Sequence, residues 1–542
     1  MNMHLHSVAS KILLWFALPM LLLPIVSKAQ EGAEQEEYPY HLAAKPERGS
    51  GSAEDPYQID HIYQLVWMAQ QVNTTNDLAD VHFVQTKDLD FSETQKWENG
   101  EGWMPIGGFY SIGGIPKKFG FRGHYDGQGY RIVNLKINRP KYPYQGLFGY
   151  INSGEVRNLI IEKAEIIGQE NVGCLTAYVH NSHIVNCQVI DSRSQGKDFY
   201  VGLLAGYQDG GLIEDCIVKG EVYGRDYLGG ITSWNNEGEI SGCTMEGKIV
   251  GKVPEGTPED ALARVIGGIA GYIRGKISYC MANVEMTGDE KVGGLLGVAS
   301  RAEVRRSYVI GGWIKGQTYV GGLIGENDTS IIEDCYARAK VQGERNVGGL
   351  LGSSSYSDSR VTRCYSTGEV KAENPSFGGA FIGVKSTGVV SKCYWNTETS
   401  NMQEAVGGFY HEDIQCDGKT SEEMKKQNTY EGWDFSQVWM ISPSLNEGYP
   451  TLRGKDSYPL DNAHLPNPTI QLTATADGYH IDSEEMIEQI DIFSTDGQKV
   501  YSRQVKANSC RVATNSLPKG LHVLRVKTGH KAVSFKLFLD RR

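Results

Sequence analysis

Residues 292–297 read VGGLLG, and the phrase keeps returning: VGLLAG at 201–206, IGGIAG at 266–271, VGGLIG at 320–325 and VGGLLG again at 347–352. Degenerate copies lie at 172–177 and 228–233, a copy one residue longer at 377–383, and an earlier form, QGLFG, at 145–149. Counted from the leading apolar residue, the copies from 172 onward are separated by 29, 27, 38, 26, 28, 27 and 30 residues. A fixed period in this range marks stacked structural units that cannot bury their apolar faces alone. Each unit holds three short apolar stretches between Gly-rich or polar turns; in one unit these are 292–297, 303–310 and 313–315. Three strands per period make one turn of a parallel β-helix, each strand pairing with its counterpart one turn on. The chain is therefore expected to be all-β, a parallel β-helix of ~28-residue turns.

Residues at equal phase stack in such a fold. Cys187, Cys216, Cys243, Cys280, Cys335, Cys364 and Cys393 share one phase, and Ser307 fills the single gap. Cys174, Cys416 and Cys510 lie off this column. Neighbouring turns about 4.8 Å apart permit bridges, but seven members cannot all pair. A column of small, buried, free thiols is the preferred reading. Tyr308, Tyr336, Tyr365 and Tyr394 each follow the column position. If the thiols point inward, strand alternation sends these tyrosines outward.

The ends differ from the middle. Lys11 precedes an apolar run over 13–26, and Ser27-Lys28-Ala29 offers small residues for cleavage between Ala29 and Gln30, so 1–29 reads as an export signal. Residues 30–58 are an acidic, Gly- and Ser-containing leader. Residues 59–80 hold an amphipathic helix capped by Asp60, with Ile62, Leu65, Val66 and Ala69 on one face, expected to cover the open end of the rod. The β-helix spans 81–454, with its repeat core at 145–385. Thr420 and Glu423 form a capping box for a helix through Gln427, and Trp433, Trp439 and 448–450 read as the far-end cap. Residues 455–468 are a Pro-containing linker, and 469–542 a small antiparallel β-sandwich. The long 38-residue step places an inserted loop at 251–261, GKVPEGTPEDA.

The net charge is −12 with no long basic run, which argues against a nucleic-acid partner. No second apolar stretch is long enough to span a membrane after the leader. Catalytic signatures are missing. His411-Glu412 begins a zinc-protease pattern, but Gln415 stands where the second His is required. Asp209, Asp215 and Asp334 could form a carboxylate set, yet Asp215 and Asp334 recur at one phase, which implies a repeated structural task. No metal or cofactor is expected, and no catalytic residue is assigned.

The repeat phrase with this period resembles the GLUG-motif repeats of bacterial surface and secreted proteins. The segments IDIFSTDGQKV (490–500), LPKG (517–520) and 533–539 are similar to the type IX secretion C-terminal sorting domain, with Leu521-His522 where that family usually has Tyr. The second resemblance implies export by the type IX machinery and a secreted or outer-membrane, cell-surface location. The resulting expectation is an adhesin or ligand-binding stalk for a glycan or a host or bacterial surface protein. Its tentative contacts are Pro254, Glu255 and Pro258 in the inserted loop, and Tyr308, Tyr336, Tyr365 and Tyr394. Two other readings stay open: a polysaccharide lyase or glycoside hydrolase on the same fold, and a purely structural surface protein.

Overall fold

The computed structural model describes residues 39–455, apart from 76–77, 113–114, 253–260, 355–356 and 409–413, and residues 470–539, apart from 476–477, 495–498, 515–516, 518–519 and 529–531. The first stretch is a parallel β-solenoid of about 11 turns of about 28 residues. One turn runs through four strands on three faces: Glu290–Gly293 on a narrow face, Leu296–Ser300 and Glu303–Arg305 on a long face, and Tyr308–Lys315 on a third. Every strand pairs in parallel with its counterpart one turn later. Val292 pairs with Val320, Leu296 with Ile324, Val304 with Ile332 and Tyr308 with Tyr336. Inward positions are branched aliphatics of zero exposure, including Val292, Leu296, Val304, Val309 and Ile314. They form one continuous core along the rod.

The repeated phrase proves to be a corner, not a single strand. The chain leaves the narrow face at Gly293 and joins the long face at Leu296. A Cβ on Gly293 would lie 2.0 Å from the carbonyl oxygen of Leu296, and one on Gly294 would lie 2.2 Å from that of Gly322 in the next turn. The corner closes that tightly only without side chains, which is why two glycines recur there.

The second corner carries the thiols. The residue before each thiol turns the chain in the left-handed region: Asp215 at φ 52°, Asp334 at φ 54°, Arg363 at φ 53°. Mostly non-glycine residues do this, because their side chains project into solvent or onto the neighbouring turn. The thiol then points inward. Cys335 donates to the carbonyl of Glu333 at 3.2 Å and to that of Val304, one turn back, at 3.6 Å. Ser307 fits the same column for the same reason: its hydroxyl donates to Arg305 O at 2.8 Å and accepts the Cys280 amide at 3.1 Å. Cys416, expected off the column, joins it. The last turn is shorter, and Cys393 pairs directly with Cys416. All ten cysteines are free. In-register stacking translates each Cβ with its Cα, so neighbours stay about 4.8 Å apart, beyond the ~3.5–4.5 Å a disulfide needs. Burial pushes the thiols of Cys216, Cys280, Cys335, Cys393 and Cys416 well above their ordinary range.

The helix Ile62–Thr74 buries Ile62, Leu65, Val66, Met68, Ala69 and Val72 in the core of the first turns. Its N-cap is His61, not Asp60. Gln64 accepts from the amides of both residues, and Asp60 pairs with Arg48 at 3.0 Å. The short helix Ser421–Met424 has the expected capping box of Thr420 and Glu423, and stops before Gln427. Residues 470–539 form an antiparallel sheet whose two long strands, Gly478–Ser494 and Lys499–Ala513, pair with each other. Register shifts split the first of them, so that Ile470–Thr475 pairs with its start and Gly520–Thr528 with its end. Ile481, Ile487, Ile490, Ile492, Leu524 and Val526 make its core.

Two measurements test the thiol column. Denatured without reductant, the chain takes up ten alkyl groups by mass spectrometry; a shortfall in pairs would show bridges. In urea unfolding Cys335→Ser keeps size and donor and lowers the unfolding free energy by less than about 1 kcal/mol, whereas Cys335→Leu overpacks the corner and costs about 1–3 kcal/mol.

Candidate binding face

The tyrosines after the thiol column do point away from the rod core, but they are not available to a ligand. Tyr308 stacks on Tyr336 at 4.7 Å between centroids, and Tyr336 on Tyr365 at 4.8 Å. Residues 420–453 fold back over them. Trp433 and Trp439 pack against Tyr365, Tyr430 packs edge-on to Tyr394, and Tyr336, Tyr365 and Tyr394 are buried. Polar pegs fix the cover: Tyr365 Oη donates to Pro450 O at 2.6 Å, and Trp439 Nε1 donates to Asp334 at 3.1 Å. The aromatic row is thus the anchor of the cap rather than a contact surface, and the cap covers the rod's flank. Only Tyr308 keeps partial exposure. Pro254, Glu255 and Pro258, like Ala29 and Gln30, lie outside the described residues.

The three aspartates do not converge. Asp334 is buried and held by Arg363 through bonds of 2.7 and 3.0 Å. Asp215 occupies the same corner four turns earlier, about 19 Å away at 4.8 Å per turn, and meets Lys455 at 3.2 Å. Asp209 lies on the long face. Asp215 and Asp334 are therefore too far apart for acid and base catalysis on one glycosidic bond, for which at most about 10 Å is workable. Among the described residues, no group of three or more His, Cys, Asp or Glu could hold a metal ion. Two shallow hollows are present, one of about 590 Å³ beside Tyr430 and Trp433, the other of about 460 Å³ lined by Lys163, Glu165, Asp191, Arg193 and Glu221.

A different surface brings chemistry together. On the first strand of the long face, the outward residue is aromatic in five successive turns: Tyr150, Tyr178, Tyr207, Trp234 and Tyr272. Register makes them a column, since Tyr178 pairs with Tyr207, Tyr207 with Trp234 and Trp234 with Tyr272. The rings stack along the rod at 5.1, 6.1 and 4.0 Å. The left-handed residue ahead of the repeat phrase is Tyr144, then Asn171, then Tyr200 and Tyr227; the last two stack on each other and meet the first column edge to face. Phe109, from the hairpin Gly108–Ile112 with Ile115–Phe119, stacks on Tyr144 at 4.1 Å and closes the strip at one end. Two residues further along each strand, on the same face, stand His180, Asp209, Asn236 and Arg274. Asp209 accepts from Asn236 at 2.8 Å and from Tyr178 at 3.4 Å, and pairs with His180 Nδ1 at 3.1 Å.

Fold maintenance does not require these rings. Beyond Tyr272 the same outward position holds Val298, Glu326, Ser353 and Val384 in turns of unchanged register. The strip is half-buried and electrically quiet. Burial pushes the Tyr144 and Tyr207 phenols up to about 12, and raises those of Tyr150, Tyr178, Tyr200 and Tyr227. All remain neutral donors and acceptors at physiological pH. The signal was present in the sequence: an aromatic stands six residues after the leading apolar residue at 172, 201, 228 and 266, and at no later copy.

The rest of the chain fixes its destination. Residues 465–540 match the secretion system C-terminal sorting domain, and residues 316–342 match the GLUG motif. Residues 316–342 therefore carry a GLUG motif, and residues 465–540 a type IX sorting domain. That domain addresses the GLUG rod to the secretion machinery and to a secreted, cell-surface location. The rod is similar to a "Putative Gly-rich membrane protein" of Evansella cellulosilytica, 30% identical over 420 residues that cover 74% of this chain and 45% of the relative. It is also similar to "Halomucin" of Haloquadratum walsbyi, 34% identical over 128 residues, 23% of this chain and 1% of that protein. The chain spans less than half the length of these curated relatives. Among solved structures it overlaps an "IgA1 Protease", at 15% identity and a TM-score of 0.34, over 71% of this chain and 25% of the other. No helix among the described residues is long and apolar enough to cross a membrane.

The buried phenols set the alkaline limit of the GLUG rod. Their folded pKa values lie above the ordinary 10.0. The folded state therefore holds protons that the unfolded state releases, and stability falls as pH rises from 10 toward 12. In a spectrophotometric titration, exposed tyrosines ionise near pH 10 without structural change. The strip's phenols ionise later, together with loss of the β circular dichroism signal.

Proposed function

We propose that this protein is an adhesive, non-enzymatic stalk that holds a ligand on the aromatic strip of its long face. The carrying observation is the run of half-exposed rings Tyr178, Tyr207, Trp234 and Tyr272 at one outward phase, which later turns fill with Val298, Glu326, Ser353 and Val384. Aromatic groups in partly desolvated settings supply most of the binding energy at recognition surfaces. A solenoid with its backbone pairing saturated holds such groups at fixed spacing, so little ordering entropy is lost on binding. The sorting domain adds the setting, since a surface-anchored rod meets ligands outside the cell. The hydrolase or lyase reading lacks support from the scattered aspartates. A purely structural rod would not need the strip.

The test uses cells displaying the full chain, or beads coated with it, on surfaces bearing polysaccharide or glycoprotein. The double variant Tyr207→Ala with Trp234→Ala drops adhesion to near background, while Trp313→Ala, an exposed Trp on the third face, leaves it unchanged. Lost stacking destabilises the double variant by about 1–3 kcal/mol, so folding is checked by thermal melt. Equal adhesion by both variants, or release of new reducing or unsaturated sugar ends by the wild-type chain, would refute the proposal.

A further inference from the structure

Resting on the binding role just given to the strip, we infer that its ligand is a neutral polysaccharide chain lying along the rod axis, about one sugar per turn. Four observations carry this beyond adhesion in general.

The strip belongs to a sheet interior. Strands Thr176–His180, Ala205–Asp209, Thr232–Ser241 and Ala270–Ser278 are each paired with the turns before and after. No backbone edge is offered, so a peptide cannot join as an added strand. The ligand must be held through side chains alone.

Those side chains present hydroxyls and ring edges. Because the rings stack on one another along the rod, their faces are covered, and the column turns edges outward. The phenols of Tyr178, Tyr200, Tyr207, Tyr227 and Tyr272 each donate one hydrogen bond and accept others, as the hydroxyls of a sugar do. The flanking row of His180, Asp209, Asn236 and Arg274 adds further donors and acceptors.

The spacing is periodic and finite. Four half-exposed rungs from Tyr178 to Tyr272 follow one another at 5.1, 6.1 and 4.0 Å between ring centroids, one per turn and on average close to the length of one pyranose in an extended chain. Phe109 and Lys118 close one end, with the ammonium 4.8 Å from the ring centroid. At the other end, the places held by rings are taken by Lys291 and Glu326, paired at 2.7 Å.

The charges cancel. Asp209 is paired with His180 and Asn236, and Arg274 with Glu237 at 4.0 Å. Paired in this way, the row leaves no free cation among its described residues to hold a polyuronate or a sulfated chain, which favours an uncharged ligand.

The experiment is calorimetry on the full chain with neutral cello- and xylo-oligosaccharides, beside polyuronate fragments, a sulfated glycan and gelatin peptides. Affinity for the neutral series rises with each sugar up to about four units and then levels, matching the rungs. Tyr207→Phe and Tyr178→Phe keep the stack and weaken binding about fivefold each by removing one hydroxyl. Trp234→Ala weakens it about tenfold or more. Affinity independent of chain length, or retention only of the charged glycans or the peptides, would overturn the inference. Either result leaves the adhesive role standing if the double alanine variant still detaches cells. Loss of neither adhesion nor binding in any variant would end both.

Discussion

Everything in this rod depends on one constraint: each turn must pair, in register, with the turn before it. The hydrogen bonds of a parallel ladder run between counterparts one period apart, so a slip of one residue would send every inward aliphatic to solvent. That constraint converts sequence periodicity into columns. Aliphatics stack into the core, glycines into one corner and thiols into the other. A residue's environment is then set mostly by its phase. Ser307 can replace a cysteine because the column asks only for a small side chain with one donor.

Phase also explains how chemistry is built on such a scaffold. A solenoid has no single cleft formed by distant segments; a site arises when the same outward phase carries useful groups in consecutive turns. The strip that ends at Tyr272 is proposed to be of this kind. Stacking stabilises each ring against its neighbour, and that rigidity suits recognition, because the groups are positioned before a ligand arrives. The same physics, used with a different covering, gives the opposite result on the third face. There the row of Tyr336, Tyr365 and Tyr394 is sealed by Trp433, Trp439 and Tyr449, and it anchors the returning segment.

The covered row illustrates what is costly in such a design. Asp334 is a carboxylate inside the seam between cap and rod, tolerated because Arg363 and Trp439 satisfy it. The cap's final residue, Lys455, reaches Glu214 and Asp215 several turns back.

The sequence by itself determined the repeat, the parallel pairing and the thiol column, because all three are properties of spacing along the chain. It also determined the sorting domain, whose strands and turns are local. Several particulars were beyond it. The phrase at 292–297 looked like a strand, yet steric closure at Gly293 and Gly294 makes it a corner. Cys416 joined the column through a shortened last turn. Tertiary structure alone decided which outward row is open. Alternation tells that Tyr365 and Tyr207 both leave the core, but only the path of residues 420–453 covers the first and leaves the second half-exposed. Burial of an outward residue depends on segments far away in the chain, and periodicity, being a local quantity, carries no record of them.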